Sequence, residues 1–236
     1  MKQIKVNGLV VNIEKKQIKN MYLKVLPPNG ELFITAPKRM SEARILEFIL
    51  SKVDWIEKQQ TKIKKQYSAQ KTLEYVKGEK IPLWGKMYTL DLIPFTSPIR
   101  MSDLRIEIDK ERILLPVTED SDREQRKKSM DLWYRKQMET MVPDMLKEWE
   151  NRIGVESSSW VIRDMKTRWG TCNVVSRKIC LNLQLAKRPR ECLEYVIVHE
   201  LVHLLESSHN QVFKDYMTQF LPDWKERKAF LNRVVY

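Results

Sequence analysis

His199-Glu200-Leu201-Val202-His203-Leu204-Leu205-Glu206-Ser207-Ser208-His209 holds every histidine of the 236-residue chain. Random placement would rarely bring all three into so narrow a window. On a helix His199 and His203, four residues apart, stack on one face and can grip a single ion. Glu200 is turned from His199 by about 100°, which suits a base that reaches water beside that ion. Ser207-Ser208 is expected to break the helix, so that His209 returns at the start of the next one as a third nitrogen ligand. Three protein ligands with an open fourth position are the arrangement of a catalytic zinc, because structural sites are closed. Tyr195, Val196, Ile197, Val198, Leu201, Val202, Leu204 and Leu205 surround these residues, so the helix should be buried nearly all round. Imidazoles and a carboxylate are costly there without partners, and a metal ion supplies them.

Upstream of this helix, Ile179, Leu181, Leu183 and Leu185 alternate with Lys178, Cys180, Asn182 and Gln184, which predicts a strand with one apolar face. Trp160–Met165 is expected to be its hairpin partner, followed by the turn Arg168-Trp169-Gly170. Helices are expected over Arg190–Ser207, Gln211–Phe220 and Pro222–Val234. A long helix from about Glu124 to Gly154 would bury Met130, Trp133, Tyr134, Met138, Met141, Leu146 and Trp149, and Pro143 should kink or split it. Thr118–Ser129 is polar and charged and is the best candidate boundary. The N-terminal part, residues 1–117, reads as short strands separated by turns at Pro27-Pro28-Asn29-Gly30, Gly78, Pro82, Gly85 and Pro98. One helix interrupts it, capped by Ser41 and running to about Gln66, with a lysine-rich end from Lys58 to Lys71 that reads as a solvated face. No internal repeat is evident. The expected fold is α+β: a β-rich subdomain with one long helix (1–117), packed on a helical catalytic subdomain with a small antiparallel sheet (118–236).

Composition narrows the class of protein. Hydrophobic residues at 42% and charged residues at 31% are ordinary for a folded chain and argue against wholesale disorder. Lys and Arg total 43 against 31 Asp and Glu, a formal charge of +12. Such a surface attracts acidic substrates and polyanions, nucleic acid included. Neither an export signal nor a membrane-spanning apolar run is present, and Cys172, Cys180 and Cys192 form no C-x-x-C pair. A cytoplasmic protein with free thiols and no membrane association is expected.

Lys166-Thr167-Arg168-Trp169-Gly170-Thr171-Cys172, Leu181-Asn182-Leu183, the histidine helix and Asn210-x-x-Phe213 together resemble the YgjP-like metallopeptidase domain, a relative of the SprT-like and other small zincins. The resemblance extends through Tyr22–Val25, Asn29-Gly30, Ile34–Pro37, Trp55-Ile56 and Gly78–Gly85, and so covers roughly residues 12–233. It implies His199, His203 and His209 as ligands of one zinc ion and Glu200 as the catalytic base. The spacing also matches the metzincin pattern, but Glu206 occupies its glycine position and no Met-turn follows, so a different zincin branch is indicated. Glu206 shares a face with His199 and His203 and could support the ligands or compete with them. Glu226 would be the alternative to His209 as third ligand.

The chemistry expected of such a site is hydrolysis. Zinc makes its water acidic, and Glu200 takes the proton as that water attacks a carbonyl carbon or a phosphorus. Arg168 is the candidate donor to the developing oxyanion, Trp169 and Asn182 are candidate substrate contacts, and the strand Leu181–Leu185 could hold an extended peptide by its edge. Three readings are carried: a metallopeptidase acting on peptides or proteins; a nucleoside triphosphate (UTP) pyrophosphatase, an activity the family resemblance also implies and Lys166 and Arg168 would suit; and a nucleic-acid-associated protease, which the SprT-like resemblance and the +12 charge allow. No Gly-rich phosphate loop or carboxylate cluster supports the second.

Overall fold

Tight turns set the register of the first strands. The computed structural model describes residues 2–26, 29–68, 73–95 and 105–232. The expected turn residues Pro27-Pro28 and Pro98, the strand start at Leu104, the lysine-rich stretch past residue 68 and the expected helix end at Val234 lie outside the described residues. Two compact units meet in sequence between residues 71 and 72.

The first unit contains β1 (Lys2–Val6), β2 (Leu9–Lys16), β3 (Tyr22–Leu26) and β4 (Glu31–Pro37) in the order β1-β2-β4-β3. β2 and β4 run parallel and the outer pairs antiparallel. One face is apolar: Val11, Ile13, Leu32, Ile34 and Ala36 form a core with Ile45 and Ile49 of α1 (Glu42–Leu50) and Ile56 of α2 (Val53–Ser68). Ser41 caps α1 as expected, its hydroxyl accepting the Arg44 N–H at 3.4 Å. The single helix expected here is two, because the chain turns at Ser51-Lys52, where the Ser51 hydroxyl donates to the Phe48 carbonyl at 2.9 Å.

The second unit opens with a sheet of the same topology. Strands β5 (Lys80–Leu83), β6 (Lys86–Pro94), β7 (Glu107–Asp109) and β8 (Arg112–Val117) are ordered β5-β6-β8-β7, with only the central pair parallel. Both sheets start from a two-residue hairpin turn, Asn7-Gly8 (φ 47° and 76°) in one and Trp84-Gly85 (φ 48° and 79°) in the other. Left-handed backbone at both positions matches the twist of the strands it joins. The duplication escapes a sequence scan because little beyond the turn glycine and the alternation recurs.

Ile81, Leu83, Leu90, Ile113 and Leu115, grouped by sequence with the N-terminal part, are buried instead with Met130, Trp133, Tyr134 and Met138 of α3 (Arg123–Ile153). That helix begins in a capping box of Asp122 with Gln125 and ends on Gly154 at φ 77°. Pro143 does not split it. The proline sits on the exposed face, where the carbonyl it leaves without a helical donor can turn to water.

Beyond Gly154, β9 (Ser159–Arg163), β10 (Gly170–Asn173) and β11 (Lys178–Asn182) form a mixed sheet in the order β10-β11-β9. β9 is not the hairpin partner of β11: those two are parallel, and β10 is the antiparallel neighbour. β11 is therefore paired on both sides and has no edge to offer a peptide, which overturns the expectation for Leu181–Leu185. Leu183–Lys187 is a 3-10 turn capped by Asn182. Then come α4 (Arg190–Val202), α5 (Gln211–Phe220) and α6 (Trp224–Leu231). The class is α+β, as expected. Among the described residues no helix is long and apolar enough to cross a membrane.

Candidate metal centre

α4 stops at Val202, short of the expected Ser207, and His203 is its C-cap at φ −62° and ψ −18°. The cap is still helical in backbone angle, so the four-residue spacing keeps its effect: the His199 and His203 rings lie 4.9 Å apart. A loop then brings His209 back over them, 4.9 Å from His199 and 4.6 Å from His203. Asn210 caps α5 by accepting the Phe213 N–H at 3.0 Å. The Phe213 ring lies 4.9, 4.7 and 4.8 Å from the three imidazoles in turn and forms their apolar floor.

One nitrogen from each ring lies within 4.8 Å of the others, and His199 Nε2 stands 3.0 Å from His209 Nε2. Imidazole nitrogens sharing a tetrahedral zinc at ordinary bond lengths stand about 3.3 Å apart, close to the His199–His209 separation, so the three rings form a group that could hold a metal ion. Burial, then the neighbouring imidazoles and Lys228, push His199 down to about 3. Burial is also the main reason that His203 and His209 are lowered. Neutral rings have the free lone pairs a metal needs. His203 Nδ1 lies 3.2 Å from the Glu206 carbonyl, a bond that fixes its tautomer with Nε2 free. Glu206 thus supports His203 through its backbone, while its carboxylate accepts the Ser208 N–H at 2.9 Å. Neither Glu206 nor Glu226 joins the cluster among the described residues.

Glu200 is 5% exposed and lies on the adjoining face of α4, against β10. Burial raises its carboxyl to about 8, against the Arg168 charge and the Cys172 backbone N–H, both of which favour the anion. Gly170 admits it: a Cβ there would lie 2.6 Å from Glu200 Oε1 and 2.7 Å from Val196 Cγ1. The requirement for glycine in the Trp169-Gly170-Thr171 stretch is a feature sequence reading missed.

Arg168 is exposed, and its charge reaches Glu200. The structure gives Trp169 and Asn182 structural tasks. The Trp169 ring is half-buried, carries the Arg188 guanidinium at 5.5 Å and donates from Nε1 to Asn232 at 3.4 Å. Asn182, 3% exposed, donates from Nδ2 to the carbonyls of Met165 (2.8 Å) and Arg168 (2.6 Å). Its Oδ1 accepts the N–H groups of Met165 (3.3 Å) and Gln184 (3.1 Å). These four bonds hold the loop that carries Arg168. The three cysteines are free.

The sequence matches the YgjP-like metallopeptidase domain over residues 19–234. The chain belongs to that family. No curated protein matches it. Among solved structures, the YgjP-like chain is similar to the metallopeptidase zymogen of Pyrococcus abyssi abylysin, at 24% identity and a TM-score of 0.35, over 38% of this chain and 90% of that one. The metallopeptidase zymogen of Methanocaldococcus jannaschii jannalysin aligns at 22% identity and a TM-score of 0.34, over 37% and 90% of the two chains.

Proposed function

We propose that this YgjP-like protein is a zinc-dependent peptidase in which His199, His203 and His209 hold the ion and Glu200 is the general base. The observation that carries the reading is one helix presenting two neutral imidazoles to a third and, on its adjoining face, a buried carboxylate. Zinc bound there supplies Lewis acidity toward water and toward a carbonyl oxygen. Glu200 accepts the proton of the attacking water at its carboxylate and returns it to the departing amine. Arg168 donates to the oxygen on which charge develops.

β10 is an edge strand of the sheet and the one packed beside α4, and it replaces β11 as the peptide-binding strand of this reading. The Trp169 carbonyl accepts from Asn182 N–H at 2.9 Å, so by alternation Trp169, Thr171 and Asn173 face β11. Gly170 and Cys172 face outward, and the Cys172 N–H is already engaged by Glu200. The backbone of Gly170 and the Cys172 carbonyl remain for an extended substrate.

The test compares metal content and hydrolysis in the wild type and Glu200→Gln, using unfolded proteins and nucleoside triphosphates as substrates. The variant is expected to retain zinc and lose peptide cleavage. Turnover of UTP alone, abolished by the same change, would replace the peptidase reading with phosphoanhydride hydrolysis. Absence of zinc from both proteins in zinc-containing buffer would overturn the centre itself.

A further inference from the structure

α5 and α6 border an open surface pocket of about 530 Å³ lined by Gln211, Lys214, Asp215, Thr218, Trp224, Lys225 and Lys228. It adjoins the centre through α5, since Gln211 follows His209 by two residues and Phe213, under the three rings, precedes Lys214. Its floor is fixed and internally satisfied. Trp224 is 8% exposed, its Nε1 donates to Thr218 Oγ1 at 3.1 Å, and the Thr218 hydroxyl donates to the Lys214 carbonyl at 2.8 Å. The Lys225 and Lys228 ammonium groups stand 5.8 and 5.7 Å from the Trp224 ring.

What the cavity leaves open is positive charge. Among the described residues none of Lys214, Lys225 and Lys228 is in an ion pair, whereas neighbouring Arg227 is held by Asp223 and Glu194. The one carboxylate in the lining, Asp215, accepts Gln211 Nε2 at 2.8 Å.

We propose that this pocket is a substrate subsite selecting an acidic residue of the peptide near the scissile bond, with Lys214, Lys225 and Lys228 as its contacts. The proposal rests on the peptidase reading and adds a substrate class to it. Single ammonium groups spread over two helices suit separate carboxylates. A triphosphate would bring concentrated charge to a wall that contains Asp215 and no arginine fork.

The experiment maps cleavage sites in a reduced, unfolded mixture of proteins of known sequence, then compares Glu- and Gln-containing versions of the best-cleaved peptide. In the wild type the Glu peptide is expected to exceed its Gln isostere about threefold to tenfold in kcat/KM, the scale of one or two exposed charge pairs. The preference should shrink in high salt and vanish in Lys228→Gln/Lys225→Gln. Equal cleavage of the two peptides, or a preference that survives in the double variant, overturns the subsite. A binding titration of the Glu and Gln peptides with Glu200→Gln protein separates the two claims. No cleavage of any peptide removes the peptidase reading, while tighter binding of the Glu peptide, lost with the lysines, still establishes the anion site. Displacement of the Glu peptide by UTP at far lower concentration would give the cavity to a nucleotide.

Discussion

Glu200 lies against the backbone of Gly170, so close that a Cβ on the glycine would sit 2.6 Å from Glu200 Oε1 and 2.9 Å from its Cγ. The carboxylate on α4 and the edge strand β10 are thereby fixed to one another, with the Cys172 N–H as the bond between them.

Gly170→Ala should therefore separate catalysis from metal binding. The added methyl must push Glu200 or Val196 aside, at a cost of about 1–3 kcal/mol of stability for overpacking. Displacement of a reacting group by about 1 Å is worth on the order of a hundredfold in turnover. The histidines lie on another side of the helix, so zinc content should be unchanged. Thermal melts, metal analysis and peptide cleavage measured together test this, and full activity in the alanine variant would deny Glu200 its place.

Removal of metal should lower stability. An ion held a thousandfold above its dissociation constant stabilises the native state by about 4 kcal/mol, so a chelator should depress Tm and zinc should restore it. His209 is exposed and reaches the centre from a loop. His209→Ala should leave the metal-free stability within about 0.5 kcal/mol of the wild type and abolish the zinc-dependent rise in Tm. A rise of wild-type size in the variant would remove His209 from the ligand set.

The thiols give a pH dependence with a definite sign. Burial pushes both Cys172 and Cys192 up to about 11. Only the thiolate is alkylated, so at pH 8 on the order of one thiol in a thousand is reactive at each site. Iodoacetamide labelling of the native protein should climb about tenfold per pH unit through pH 10, where a free thiol with a pKa near 8.5 has already levelled off. Denaturation should expose all three cysteines at ordinary rates. Rapid labelling of Cys172 at pH 7 in the folded protein would show that β10 opens away from Glu200.

The part of the site carried by short-range periodicity was legible in the chain. Two histidines four apart on an apolar helix stack whatever the rest of the fold does, and Ser207-Ser208 announced the loop that returns His209. What depends on partners distant in sequence was not legible. Alternation from Ile179 to Leu185 reports one buried face, but it says nothing of how many strands flank β11, and it cannot distinguish a strand from the 3-10 turn at Leu183. Pro143 stays within an unbroken α3 on its exposed face, and that face is a tertiary fact. The same holds for Asn182: an asparagine between two leucines reads as a polar residue near a cleft, and only the folded loop reveals four backbone partners. Lys214, Lys225 and Lys228 carry no pattern along the chain and become a cluster only when α5 and α6 meet.

Asn182 offers the sharpest test of how the loop supports the site. Its side chain satisfies two carbonyls and two N–H groups in a buried place, two of them on Met165 and one on Arg168. Asn182→Ala leaves these groups without partners, at about 1–3 kcal/mol for each that water cannot reach, and should cost about 3 kcal/mol or more in total. Asn182→Asp keeps the acceptor for Met165 and Gln184 and loses both donors, setting a carboxylate oxygen against the Met165 and Arg168 carbonyls. If Asn182 acts only on stability, both variants should regain wild-type kcat at a temperature where they are fully folded. If it positions Arg168, kcat should stay reduced in the folded variants while zinc content is unchanged. Cleavage at full rate by folded Asn182→Ala would leave Arg168 with no need of the clamp.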